Sequence, residues 1–139
     1  MIALRAAFLA FALAATGHAQ AQGSDEPVAK FYEALKTADA DQMDKVLADD
    51  AVIRLADLGF DMTKDEFVDS MSEWETVAQS MTMRVKPDPD RADTDETVVR
   101  LVCYKFPSNT SLTRETSTVV DGRITANMQE ELGESCEGF

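Results

Sequence analysis

The spacing of apolar residues changes along the chain, and the changes mark its elements. From Val28 the period is helical: Val28, Phe31 and Leu35 fall at i, i+3 and i+7, the stripe of an amphipathic helix. Ser24 or Asp25 can cap this helix, and Pro27 suits its first turn. Asp39-Ala40-Asp41 interrupts the pattern, and a second short helix is predicted with Met43, Val46 and Leu47 inward. Ala51 to Leu55 reads as a strand, closed by a turn at Gly59. Thr63 followed three residues later by Glu66 is a capping box. It opens a third helix on which Phe67, Met71, Trp74 and Ala78 share one face.

Beyond the third helix the period falls to two. Strands are predicted over Met81 to Lys86, over Thr97 to Phe106, and over Leu112 to Val120 and Arg123 to Leu132 on either side of Asp121-Gly122. Asp-Gly between two such runs is a strong hairpin signal. The predicted fold class is therefore α+β, with three N-terminal helices packed on a strongly curved, mainly antiparallel sheet. The strand from Thr97 to Phe106 carries Val98, Arg100, Val102, Tyr104 and Phe106 on one face and Val99, Leu101 and Cys103 on the other. Two apolar faces need two covers. The helices supply one; the other falls to the C-terminal tail or to a second copy of the chain.

The N-terminus follows a different pattern. Arg5 precedes an unbroken apolar run from Ala6 to Ala15, and Ala19-Gln20-Ala21 supplies the small residues of a cleavage site. These are the three parts of a secretory signal, and the run is too short to span a bilayer. We expect residues 1–21 to be a cleaved signal peptide and residues 22–139 to form one domain, periplasmic or secreted and bacterial in type, with no membrane anchor. Cleavage takes one basic residue from the 13 Lys and Arg and none from the 26 Asp and Glu. A chain so acidic repels nucleic acid and anionic surfaces.

Removal of the signal also removes His18, the only histidine, and with it the usual general base and metal ligand. No cofactor or metal is expected. Cys103 and Cys136 are the only cysteines. In an exported protein they read as one disulfide, the alternatives being free thiols or a bridge between copies.

The stretch from Pro27 to Leu35, then Asp39 and Asp41, then Leu47-Ala48-Asp49-Asp50-Ala51-Val52 resembles the start of nuclear transport factor 2-like domains. Val119-Val120-Asp121-Gly122-Arg123-Ile124 resembles that family's last hairpin. The resemblance covers residues 26 to 132. It implies a cone with a deep pocket between helices and sheet, and frequent dimers through the outer sheet face. The family includes ketosteroid isomerases, polyketide cyclases, epoxide hydrolases, dehydratases and non-catalytic members, so fold alone does not give function.

Laid on the isomerase pattern, the tyrosine position falls on Phe31 and the base position on Leu55, so both functional groups are missing. Tyr32 is one residue off, about 100° away around a helix. Asp57 is either a displaced base or a loop aspartate ahead of Gly59. The dehydratase mechanism needs histidine. Arg100, Asp57 and Glu115 imitate the epoxide hydrolase Asp-Arg-Asp set only if all three face inward; otherwise Arg100 is an edge or surface arginine. The acidic run Asp88, Asp90, Asp93, Asp95 and Glu96 lacks the spacing of a calcium loop and reads as a solvated connection. The expected function is binding of a small, mainly apolar molecule, in a pocket walled by Phe31, Leu55, Trp74 and Tyr104 with Asp57 and Arg100 as polar contacts. The alternatives are an isomerase or lyase using Asp57, and a module that dimerises through the outer face of the sheet.

Overall fold

The computed structural model describes residues 23–139, so the predicted signal peptide lies outside the described residues. The first helix, α1 (Asp25–Thr37), buries Val28, Phe31, Tyr32 and Leu35. It ends where Ala38 turns left-handed, with φ of 52°. The Asp39 side chain then accepts from the Gln42 amide and starts α2 (Ala40–Val46). The predicted capping box at Thr63 and Glu66 is formed in both directions and starts α3 (Lys64–Ala78). Lys64, in the first turn of α3, is buried and pairs with Asp44 and Asp49, which ties α3 to α2 and to β1.

Six strands form one sheet: β1 (Leu47–Leu55), β2 (Phe60–Thr63), β3 (Thr82–Pro87), β4 (Thr97–Lys105), β5 (Thr110–Val120) and β6 (Arg123–Gly133), in the order β2-β1-β6-β5-β4-β3. All neighbours are antiparallel except β1 and β6. The β5–β6 hairpin turns at Asp121 and Gly122, both with positive φ, as the paired left-handed conformations of a two-residue hairpin turn require. The order of elements departs from the sequence reading in two places. Leu47 begins β1 rather than ending α2, and Phe60–Thr63 is a strand pairing back on β1. Four residues that run straight into a helix cap leave too short an alternation to be read as a strand.

The core lies between the helices and the inner face of the sheet, around the fully buried Phe31, Met43, Leu47, Ile53 and Ile124. Phe31 stacks on Phe67 with ring centroids 5.9 Å apart, so truncating it to alanine should cost about 3–5 kcal/mol. The outer face of β4 is covered by the C-terminal tail. Cys103 and Cys136 form a disulfide, and beyond it the Phe139 ring lies under the Arg84 and Lys86 cations of β3. The tail is thus the cover that the two-faced strand required on this side. Farther along the same face, Val52 and Met128 remain exposed.

Candidate functional site

A cavity of about 500 Å3 opens between α3 and the inner face of the sheet. Helix α3 supplies Phe67, Met71, Trp74 and Val77 to it, and their spacing puts all four on one side of a helix. Trp74 is fixed at both ends. Its indole N–H donates to the Leu35 carbonyl at 2.7 Å, and its ring meets Phe106 edge to face with centroids 6.4 Å apart. Phe106 in turn stacks on Tyr104, two residues back along the same strand face. These rings make a rigid aromatic wall.

The sheet side of the cavity is polar. Tyr104, Ser111, Thr113 and Gln129 line it, and behind them lies Glu115, with no exposure at all. The Tyr104 hydroxyl donates to Glu115 Oε1 at 2.6 Å, and the Thr113 hydroxyl donates to the same oxygen at 3.0 Å. Tyr32 lies near enough for its phenol and the Glu115 carboxyl to perturb each other. The two do not meet in hydrogen-bond geometry, so Tyr32 Oη and Glu115 Oε2 are both buried without a partner among the described residues. A second polar chain runs alongside. Asn127 donates to Ser117, and Gln129 donates to Asn127, both at 3.0 Å.

Register puts Arg100 directly across from Glu115, yet the two charges do not pair. The Arg100 guanidinium reaches Asp25 at the start of α1 and Asp93 in the β3–β4 loop. Among the described residues, Glu115 therefore keeps a buried carboxyl with no counter-ion. Burial pushes that carboxyl above its ordinary value, and the hydrogen bonds it accepts from Tyr104 and Thr113 only partly oppose the rise. Burial, and then the Glu115 charge, hold the Tyr104 and Tyr32 phenols well above their ordinary value of 10.

The residues singled out from sequence are dispersed. Trp74 and Tyr104 line the cavity. Phe31 lies behind its wall, fully buried against Phe67. Leu55 and Asp57 line a smaller cleft of about 230 Å3, which shares Ser111, Thr113 and Gln129 with the cavity. The Asp57 carboxylate is exposed and accepts the Glu131 backbone N–H. Arg100 faces inward but borders a groove beside α1 with Asp25 and Tyr32, so the Arg100, Asp57 and Glu115 set is not assembled. Among the described residues, no three His, Cys, Asp or Glu side chains gather as a metal site, and no helix is long and apolar enough to cross a membrane.

Thr113 and Gln129 were not legible as site residues, and Glu115 entered the sequence reading only as a member of the Arg100, Asp57 and Glu115 set. From Thr113 to Thr118 every residue of β5 is polar, so alternation cannot say which side faces in. The available signal was the hairpin: counting back in twos from the buried Val119 places Ser117, Glu115 and Thr113 inward.

No family model matches this sequence, and no curated protein matches it. Solved structures do. An NTF2-like protein of unknown function from Burkholderia xenovorans is 12% identical, with a TM-score of 0.67 over 81% of this chain and 84% of its own. A candidate ketosteroid isomerase from Kribbella flavida is 14% identical, with a TM-score of 0.67 over 81% of this chain and 80% of its own. IdmH, a candidate polyketide cyclase from Streptomyces antibioticus, is 20% identical, with a TM-score of 0.62 over 80% of this chain and 92% of its own. At such identities the likeness is one of fold: three helices on a curved open sheet, the NTF2-like fold.

Proposed function

We propose that this chain of NTF2-like fold is an exported binding domain that holds a small, mainly apolar molecule in the cavity between α3 and the sheet. The observation that carries this reading is the two-sided lining: an aromatic and aliphatic wall from α3, and a short row of hydroxyl and amide groups from the sheet. Apolar enclosure with a few placed polar groups is the usual make-up of a small-molecule site. Export is supported by the Cys103–Cys136 disulfide, since such bonds persist in oxidising compartments.

The test is direct. An apolar fluorescent dye should bind with one molecule per chain and alter the emission of Trp74, the only tryptophan. Val77→Phe, which fills the cavity from α3, should abolish binding while leaving the fold intact. Dye binding that survives this substitution would place the ligand elsewhere and end the reading.

A second reading, an isomerase or lyase, has one observation in its favour. Glu115 is a buried carboxyl with a raised proton affinity, linked through Tyr104 to the cavity lining. Such a group suits proton transfer better than Asp57, whose carboxylate is exposed and occupied by a backbone amide. Self-association would use the exposed part of the outer sheet face around Val52 and Met128; sedimentation of the purified protein tests it.

A further inference from the structure

The hydrogens of the cavity's polar groups are largely committed elsewhere. Tyr104 and Thr113 both donate to Glu115. Trp74 donates to Leu35, and Ser70 to the Phe67 carbonyl. Gln129 gives one amide hydrogen to Asn127. Among the described residues, only the Ser111 hydroxyl and the second Gln129 amide hydrogen remain as side-chain donors in the lining. What Tyr104 and Thr113 still offer a guest is oxygen lone pairs. This holds whether Glu115 is ionised or carries its proton on Oε2, because Oε1 accepts in both states.

The charges point the same way. Among the described residues, no lysine or arginine lines the cavity, whereas Glu73 does, at the exposed rim. Glu115 stands directly behind the Tyr104 oxygen, without a counter-ion. A group hydrogen-bonded to Tyr104 Oη would lie within roughly 5.5 Å of the Glu115 oxygen, the sum of two hydrogen-bond lengths being the upper limit. Trp74, Phe67, Tyr104 and Phe106 present rings to the same space, and ring faces attract cations. A carboxylate or phosphate guest would meet two acidic side chains and almost no donor.

Granting the binding function proposed above, we infer that the ligand is a hydrophobic amine, held with its ammonium against the Tyr104 and Thr113 oxygens and its apolar body along α3. The amine class follows from three features together: acceptors without free hydrogens, a buried carboxyl without a cation, and an aromatic wall.

Calorimetry with three probes of matched shape tests this on the full chain: naphthylethylamine, naphthylethanol and naphthylacetate. The amine should bind about tenfold or more tighter than the alcohol, the scale of a charge-assisted hydrogen bond with cation–π contact, and the acetate most weakly. Glu115→Gln should close much of the gap between amine and alcohol. Glu73→Gln, on the exposed rim where folding is not at risk, should narrow it slightly. The gap should persist at high salt, because buried charges are poorly screened.

If the alcohol or the acetate binds as tightly as the amine, the amine assignment fails and the binding reading survives. A gap that collapses in salt would assign the preference to the acidic surface and overturn the inference. If none of the three binds, both readings fall.

Discussion

The Tyr104 hydroxyl donates to Glu115 Oε1 at 2.6 Å across two adjacent strands, and the Glu115 side chain is wholly buried. This bond joins the cavity lining to the buried carboxyl behind it. Tyr104→Phe removes the donor and leaves Glu115 with Thr113 alone. A lost hydrogen bond to a buried acceptor costs about 1–3 kcal/mol, and we expect that loss in denaturant unfolding. The Glu115 carboxyl should also rise further, because a bond that favours its charged form is gone. Carboxyl-carbon NMR titration reads this; an unchanged titration would mean that the two groups are not coupled.

Glu115 also sets a pH dependence. Its proton affinity is raised in the folded state above the ordinary value of 4.5, so the folded state holds the proton more tightly than the unfolded chain. Its contribution to stability is therefore full below the unfolded value and is lost as pH rises through the folded one. Glu115→Gln lacks this proton. Relative to the variant, the native protein should weaken as pH climbs from the acid side through the folded value. Urea unfolding of both proteins over a pH series checks this; parallel curves would contradict it.

Arg100 is expected to matter for stability and not for the ligand. Its guanidinium joins β4 to Asp25 and Asp93, both partly exposed, and it does not border the cavity. Arg100→Met should cost about 1–3 kcal/mol, because the freed aspartates regain water and escape the full penalty of a stranded buried charge. Affinity for the cavity probe should stay within about twofold, well under the tenfold that 1.4 kcal/mol represents. A large loss of affinity at unchanged stability would restore Arg100 to the site.

The disulfide closes a span of 33 residues, for which chain entropy gives about 3–4 kcal/mol. Replacing Cys103 and Cys136 together by serine should lower unfolding stability by that order. It should also free the tail, raising hydrogen exchange in β3 and β4, where Phe139 and the tail now cover the outer face. Unaltered exchange there would show that the tail packs without its covalent tie.

The parts of the fold legible beforehand were those signalled by near neighbours in sequence. Thr63 and Glu66 cap α3 across three residues, and Asp121-Gly122 turns the hairpin within two. The stripe of Phe67, Met71 and Trp74 needed only helical spacing. The site was less legible. Trp74 and Tyr104 do line the cavity, but Arg100 and Asp57 were assigned to it on the side-chain chemistry they carry. Their actual partners lie far along the chain: Asp25 is 75 residues from Arg100, and Glu131 is 74 from Asp57.

By itself the sequence determined the helices, the hairpin and the α+β class, and showed that the only histidine precedes the predicted cleavage site. These follow from spacing and composition, which local sterics and apolar burial translate directly into structure. Tertiary structure alone decided which charges meet. Arg100 faces Glu115 across the ladder yet turns to Asp25 and Asp93, leaving a buried carboxyl unpaired beside the cavity. Electrostatic partnership depends on distances among elements remote in sequence, and those distances exist only once helices and sheet have packed.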